Sequence, residues 1–337
     1  MVLYPPSAEV RASGSVAKET SARPILLRAP SVHTRILERH RPNNLRISPN
    51  RGMPTIEAPS SSRLFRRILV ALDASPHSRA ALNMAVQLAA DVEAELEGLF
   101  IKDENLLRAA QLPFAEEVRT HSVSPKRLSD RRVQRQLRHQ AERAEAALQD
   151  ATEQAEVPYN FRVAEGQVTR ELLQAAEETD LLAMGKTSTR SSRRRLGTTS
   201  QALLSGCSTP VLVLRRPTRR REPILTYYDG SDAAQSALRV AARLATRGAT
   251  HPLKVFLPTA DADEIERLRA EVQEEYGNHV AQLQVRPLTA VERDRLATLA
   301  RREGRGLCVL PGGCSPLSET PLQQFLYELD RPLLLVR

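Results

Sequence analysis

Three short segments of the chain contain residues that could together bind a phosphate group. Asp73 follows one apolar run, Gly185 follows another, and Gly197-Thr198-Thr199-Ser200 precedes a third. Glycine allows the backbone to approach a phosphate closely, while helix N-terminal N–H groups and Thr or Ser hydroxyls can bind its oxygens. Lys186 and the arginines between 190 and 195 would add positive charge to the same region. The three segments therefore predict an anion site if the fold brings them to one edge.

Each segment also has an ordinary structural explanation. A glycine after a strand is usually part of a turn, and Gly-Thr-Thr-Ser before a helix is usually a cap. Gly185-Lys186-Thr187 resembles the end of a phosphate loop of the G-x4-GK[ST] type, but Asp180 stands where that motif needs its first glycine. The sequence thus excludes a P-loop and leaves the anion site as one of two interpretations.

The elements that would position these segments alternate between strands and helices. Arg67 to Leu72 predicts a strand, Asp73-Ala74-Ser75-Pro76 has turn and cap chemistry, and Ser78 to Ala90 has helical periodicity. Further strands are predicted at Glu97 to Ile101, Tyr159 to Val163, Leu181 to Met184 and Val211 to Leu214, and helices at Glu171 to Glu178 and Ser200 to Ser205. Another helix precedes Tyr159, where an apolar stripe is formed by Leu137, Ala141, Ala144, Leu148, Ala151 and Ala155.

Alternation of this kind predicts a parallel α/β sheet with helices on both faces. In such a sheet, ligands bind beyond the carboxyl ends of the strands, at the point where the strand order reverses. Asp73, Gly185 and the segment that begins at Gly197 are all predicted to lie at that edge.

The chain also contains an internal repeat without gaps. The stretch from Ile68 to Phe100 recurs at a constant offset between Ile224 and Phe256. The matched pairs include Ile68/Ile224, Asp73/Asp229, Ser75/Ser231, Leu82/Leu238 and Phe100/Phe256. A register kept over a strand, a turn and a helix predicts two related domains in tandem, at residues 64–217 and 222–337.

Composition limits the class of protein. The 337 residues suffice for two domains of ordinary size, and no apolar run approaches the roughly 20 residues that span a bilayer. Cys207, Cys308 and Cys314 form no CxxC pair. Their pattern favours buried thiols in a reducing, cytoplasmic compartment over disulfides or a zinc site, and no metal site is predicted.

The net charge of +9 would favour a polyanionic partner, but much of it lies outside the expected cores. Basic clusters occur in the N-terminal segment, at Arg131 to Arg138, at Arg193 to Arg195 and at Arg215 to Arg221. Aromatic residues make up only 4% of the chain and tryptophan is absent, so the sequence offers no stacking platform for single-stranded nucleic acid. Nucleic acid binding is therefore a minor alternative, with a steep salt dependence as its signature.

Residues 1 to 63 are rich in Pro, Ser and Arg, poor in acidic residues and without periodicity. Such a segment is predicted to be a disordered tail. Its arginines are also typical of an organellar transit peptide, although its prolines interrupt any amphipathic helix. A translation start at Met53 is a third interpretation, and the sequence does not decide among tail, targeting segment and misplaced start.

Taken together, these residues resemble the universal stress protein family. The resemblance is carried by ILVALDASPHSRAAL at Ile68 to Leu82, DLLAMG at Asp180 to Gly185, GTTS at Gly197 to Ser200 and CSTPVLVL at Cys207 to Leu214. The second copy matches through ILTYYDGS at Ile224 to Ser231 and RPLLLV at Arg331 to Val336. The resemblance covers the chain from about Arg66 to Arg337.

The resemblance implies two tandem Rossmann-like sheets of the adenine nucleotide alpha hydrolase-like type, each with five parallel strands flanked by helices, paired as in a dimer. One branch of the family binds ATP, with or without Mg²⁺, through the pattern G-x2-G-x9-G-[ST]. Gly185 matches its first glycine and Gly197-Thr198 its last element, while Ser188 replaces the middle glycine and the final spacing is eight residues. A positive φ angle at Ser188 would be strained by about 1 kcal/mol relative to glycine.

By the same analogy, Asp73 would lie near the adenosine part of the nucleotide. The phosphates would be surrounded by Gly185, Ser188, Gly197, Thr198 and Ser200. In the second copy the corresponding loop begins at Pro311-Gly312-Gly313-Cys314-Ser315-Pro316, where Glu319 would repel a phosphate and the prolines withhold donors. We therefore expect no nucleotide in the second domain, whose role would be to pair with the first.

The main functional hypothesis is a regulatory, stress-linked binding protein whose first domain binds ATP weakly. The main alternative is a member of the same family that binds no nucleotide and acts through protein contacts, since Ser188 and the shortened loop depart from the pattern. An enzyme is disfavoured and no catalytic residue is predicted, because phosphoryl chemistry needs a metal-binding carboxylate and a group that positions the nucleophile. Slow incidental hydrolysis of ATP, a homodimer and an unidentified protein partner stay open.

Overall fold

The computed structural model describes residues 64–112, 115–117, 126–127, 129–185, 197–214, 222–246, 251–289, 292, 296–312, 329 and 331–337. These residues all belong to one unit of the chain, Ser62–Arg337. The predictions for the N-terminal tail, for Ser188 and the basic loop around it, and for Cys314 and Glu319 lie outside the described residues. We call residues 64–214 the first half and residues 222–337 the second half.

The described elements largely alternate between strands and helices. The first half forms β1 (Arg67–Leu72), α1 (Pro76–Val92), β2 (Glu95–Asp103), α2 (Glu104–Gln111), β3 (Glu116–Glu117), β4 (Lys126–Arg127), α3 (Asp130–Ala155), β5 (Tyr159–Gly166), α4 (Val168–Glu177), β6 (Leu181–Gly185), α5 (Thr198–Gly206) and β7 (Val211–Leu214). The second half forms β8 (Ile224–Tyr227), α6 (Asp232–Thr246), β9 (Leu253–Leu257), α7 (Ala262–Tyr276), β10 (Leu283–Pro287), α8 (Leu296–Arg302), β11 (Cys308–Pro311) and β12 (Leu333–Val336).

Ten of the described strands form one sheet in the order β10-β9-β8-β11-β12-β7-β6-β1-β2-β5. Neighbouring strands are parallel except at β12 and β7, which pair antiparallel with Leu334 opposite Leu212. The two-residue strands β3 and β4 form a separate antiparallel pair. The predicted α/β fold with a parallel sheet and flanking helices is confirmed, and the antiparallel joint between the halves makes the whole sheet mixed.

The central strands are apolar throughout because both of their faces are covered. All residues of β6 and β7 are buried, as parallel strands between two helical layers require. One hydrophobic core cluster includes Leu69 and Val213 of the first half together with Leu225, Leu310 and Leu335 of the second. The two halves therefore share apolar packing across the β7–β12 joint.

Helix α3 packs on α1 and on the sheet, and most of the predicted stripe is buried. Leu137, Ala141, Ala144 and Leu148 are buried, whereas Ala151 and Ala155 are only partly covered. A Cβ atom on Gly98 of β2 would lie 2.5 Å from Cδ2 of Leu148, so glycine at this position lets the helix lie close to the sheet. The helix begins at Asp130, before the first residue of the predicted stripe.

Cys207 and Cys308 are buried free thiols, as predicted. Burial raises the pKa of the Cys308 thiol to about 11, so this thiol is protonated and unreactive near neutral pH. Within the described ranges, no helix combines the length and the apolar character needed to cross a membrane.

Candidate functional site

The loop between β1 and α1 is held by its own hydrogen bonds. Asp73 Oδ1 accepts the N–H of Ser75 at 2.9 Å, and Ser75 Oγ accepts the N–H of Ser78 at 3.1 Å. The buried hydroxyl of Ser78 donates to the carbonyl oxygen of Ser75 at 3.1 Å. Asp73 thus forms a local turn and Ser75 caps α1, while the Asp73 side chain remains exposed at the carboxyl end of β1.

Ala74, between these two residues, has a φ angle of 58°. In the second half the matching position is Gly230, with a φ angle of 80°. This region of backbone conformation disfavours any residue with a Cβ atom by about 1 kcal/mol. The first half therefore keeps strain beside Asp73 that glycine relieves in the second half, and only a comparison of DAS with DGS in the two copies could have shown it.

Ala74→Gly is expected to raise the free energy of unfolding by about 0.5–1 kcal/mol, because the relief of strain exceeds the added entropy of the unfolded chain. Urea unfolding followed by circular dichroism measures the change. The matched control is Gly230→Ala, which should lower stability, since its Cβ atom would also lie 3.1 Å from Cδ2 of Leu268. A loss of stability in Ala74→Gly would show that the loop is not strained.

Gly185, the last residue of β6, lies directly against the start of α1. A Cβ atom there would be 2.6 Å from both C and O of His77 and 2.9 Å from N of Ser78. β6 and β1 are neighbours, with Ala183 opposite Val70, and the strand order reverses between them. The structure therefore brings Gly185 to the Asp73 loop at the reversal point, and close packing accounts for this glycine without a ligand.

Gly197 is the N-cap of α5, with φ −61° and ψ 150°, and no side chain in the described part of the chain caps this helix. Thr198 is exposed, whereas Ser200 is only 1% exposed and its Oγ has no hydrogen-bond partner among the described residues. α5 ends just before β7, which runs parallel to β6. The uncapped N-terminus of α5 therefore points towards the carboxyl edge that carries Asp73 and Gly185, while Ser188 lies outside the described residues.

Comparison with known proteins identifies the family to which the first half belongs. Residues 64–215 match the model of the Universal stress protein family. These residues belong to the universal stress protein family. No curated protein matches the chain. Universal stress proteins are generally not classical enzymes, and they often form oligomers.

Solved structures extend the likeness in fold beyond residue 215. A universal stress protein from Archaeoglobus fulgidus DSM 4304 is similar with a TM-score of 0.61 and 17% identity, over 80% of this chain and 98% of that one. A protein from Pseudomonas aeruginosa UCBPP-PA14, described as a universal stress protein, is similar with a TM-score of 0.51 and 19% identity, over 81% of this chain and 93% of that one. A functionally unknown protein from Pseudomonas aeruginosa PAO1 has a TM-score of 0.51 and 16% identity, over 81% and 92% of the two chains.

Two arginines that sequence reasoning missed lie beside the β1–α1 loop of this universal stress protein domain. A small pocket there is lined in part by Ala74, Ser75 and Ser78 of the loop and first turn, together with Arg79 of α1 and Arg143 of α3. Arg143 reaches the loop because α3 packs on α1. No spacing motif signals such a tertiary contact, and the two guanidinium groups make the surroundings of the loop more positive.

The second half differs at the position that matches Gly185. Gly185 pairs with Leu214 at the end of β7, and Pro311 pairs with Val336 at the end of β12. Pro311 therefore stands in the place of the glycine and has no N–H to donate. The N–H of the next residue, Gly312, already donates to the carbonyl oxygen of Val336 at 2.6 Å.

The described ranges contain no group of three or more His, Cys, Asp or Glu side chains arranged to hold a metal ion. At this carboxyl edge the described chain offers backbone N–H groups, hydroxyls and a glycine that allows close approach. These groups suit the binding of an anion.

Proposed function

We propose that this universal stress protein binds an adenine nucleotide, ATP, at the carboxyl edge of the first half, between β1 and α5. The observation that carries the proposal is the N-terminus of α5, where no side chain of the described residues caps the helix and the buried Ser200 Oγ has no partner among them. A buried polar atom without a partner is rare and requires an explanation. A phosphate oxygen would accept hydrogen bonds from this hydroxyl and from the free N–H groups together.

The other candidate residues have supporting roles in this proposal. Gly185 keeps β6 against the first turn of α1, so the backbone is close to the β1–α1 loop. The exposed carboxylate of Asp73 would accept hydrogen bonds from the adenosine, with one oxygen already held by Ser75. Gly197 and Thr198 would contact the phosphates from the start of α5, with Ser188 in the same loop. Mg²⁺ would accompany the nucleotide as the counterion of its phosphates.

We assign the second half the role of a pairing scaffold, so that residues 64–217 and 222–337 act as tandem universal stress protein domains. The antiparallel pairing of β12 with β7 and the shared core cluster support this assignment. Pro311 in place of Gly185 supports the absence of a nucleotide from the second domain. The protein would then act in the cytoplasm as a regulatory binding protein, and no residue is assigned a catalytic role.

A nucleotide-free universal stress protein that acts through protein contacts is the second candidate. The close packing of Gly185 on His77 favours it, because this packing explains the first glycine of the family pattern without a phosphate. The replacement of the middle glycine by Ser188 points in the same direction. Nucleotide titration distinguishes the two candidates.

Calorimetric titration of the full chain with ATP and Mg²⁺ is expected to give saturable binding with about one site per chain. Gly197→Glu should weaken binding at least about tenfold, because it places a carboxylate beside the phosphates at the helix N-terminus. Ser205→Glu is the matched control, since it adds the same charge to the exposed far end of α5 and should leave binding unchanged. Absence of heat and of any ATP-dependent rise in Tm would favour the nucleotide-free candidate.

A further inference from the structure

The strand β5 forms one edge of the ten-stranded sheet. It pairs with β2 over all eight of its residues, from Tyr159 opposite Leu96 to Gly166 opposite Asp103. No strand in the described part of the chain pairs with its other side. A long strand with a free edge is a template for pairing with another strand.

The exposed apolar side chains of β5 lie on one face. Tyr159 is 38% exposed and Val163 is 43% exposed, and residues four apart on a strand point to the same face. Phe161, between them, also points to this face and is partly exposed. Its Cδ2 atom is 3.2 Å from the position of a Cβ atom on Gly98, which places this face on the α3 side of the sheet. Tyr159 and Val163 are equally spaced on either side of Phe161 along the strand.

The opposite edge of the sheet, β10, is protected against such pairing. It has five residues and ends at Pro287, which has no N–H to donate. Its Arg286 guanidinium lies 5.0 Å from the centre of the Phe256 ring and contacts Glu292 at 3.1 Å. Short edges, prolines and inward-pointing charges are the usual means of preventing edge-to-edge association. β5 contains no proline, and its Tyr159 and Val163 side chains are exposed.

The backbone of β5 offers the matching hydrogen-bonding groups. The N–H of Leu96 donates to the carbonyl oxygen of Pro158, and alternate residues of a parallel strand bond to the same neighbour. Pro158, Asn160 and Arg162 therefore direct their backbone groups towards β2. The backbone N–H and C=O groups of Tyr159, Phe161 and Val163 point away from β2, towards the unpaired side of the strand.

We propose that β5 pairs antiparallel with β5 of a second copy of this chain, about a two-fold axis at Phe161. In this register Tyr159 of each copy lies opposite Val163 of the other, and outward backbone groups meet outward backbone groups. A register centred on the next residue would place Arg162 opposite Arg162, and like charges directly opposite destabilise an antiparallel pair. The exposed apolar residues of β5 are therefore self-complementary in one register.

Sedimentation equilibrium of the full chain tests the pairing and its register. Val163→Lys and Tyr159→Glu each place a charge opposite an apolar residue of the other copy, and each should raise the dimer Kd at least about tenfold. In the double variant the new ammonium group of each copy lies opposite the new carboxylate of the other. The double variant is therefore expected to return the Kd to within about threefold of the unmodified chain.

Leu112→Lys is the control, because Leu112 is an exposed apolar residue, 46% accessible, that lies outside β5. It should leave the Kd unchanged, and circular dichroism should show that all four variants are folded. A monomeric unmodified chain would overturn the proposal, and so would a dimer that Val163→Lys does not weaken. A double variant as weakly associated as the single ones would overturn the register and with it the proposed two-fold pairing.

Discussion

Leu335→Ala is expected to lower the free energy of unfolding by about 2–5 kcal/mol, the range for truncation of a fully buried leucine. Leu335 is 1% exposed, lies opposite Val211 across the joint and belongs to the core cluster that both halves share. Removal of its side chain leaves a cavity between β12 and β7. Because the packing is shared, both halves should become less stable in the same transition.

Urea unfolding measures this change through the transition midpoint at constant slope. Leu112→Ala serves as the control, since Leu112 is 46% exposed and its truncation should change stability by no more than about 0.5 kcal/mol. If Leu335→Ala destabilises the protein no more than Leu112→Ala does, the joint does not carry buried packing. Two separate transitions in the unmodified chain would show that the halves unfold independently.

Gly185→Ala is expected to lower the free energy of unfolding by about 1–3 kcal/mol, because the added methyl group overpacks a site without free space. The Cβ atom would lie 2.6 Å from backbone atoms of His77. Backbone in the first turn of a 17-residue helix cannot rotate away as a side chain could. The first turn of α1 and the end of β6 must therefore separate, and the Asp73 loop should shift with them.

The matched control is Gly206→Ala, at the end of α5. Its Cβ atom would meet nothing closer than 3.9 Å, so the variant should be neutral or slightly more stable, as alanine favours a helix over glycine. Thermal unfolding of both variants gives the comparison. Equal Tm values for the two would contradict the tight contact between β6 and α1.

Local sequence patterns predicted the central strands best. β1 and β7 occur at the predicted residues, because a short apolar run between turn residues leaves little freedom for a buried parallel strand. α1 begins at Pro76, two positions before the predicted start at Ser78, since proline is favoured in the first helical turn. β5 extends beyond the predicted end at Val163 to Gly166. The last residues of this edge strand do not form an apolar run, so the sequence pattern did not reveal them.

The part of the fold that patterns could not predict depends on contacts between distant segments. The register that sets Leu334 opposite Leu212 has no local signature. The sequence patterns also predict neither β10 and β11 nor the two helices α7 and α8, because the repeat fades after Phe256. At the candidate site, Asp73 and Gly185 lie at the same edge of the sheet, as their positions after the carboxyl ends of two parallel strands predicted. The strain at Ala74 could be found only by comparing DAS with DGS in the two copies. The position of Arg143 follows from tertiary packing, which a single sequence does not display.

The antiparallel joint between β7 and β12 also determines where the two carboxyl edges open. Since strands are parallel within each half and reverse direction at the joint, the edge that carries Asp73 and the edge that carries Asp229 lie at opposite ends of the sheet. A small molecule bound at one edge is therefore separated from the other edge by the length of the strands. Each edge can therefore bind or release a small molecule without steric competition from the other, and any coupling between the two edges has to act through the protein.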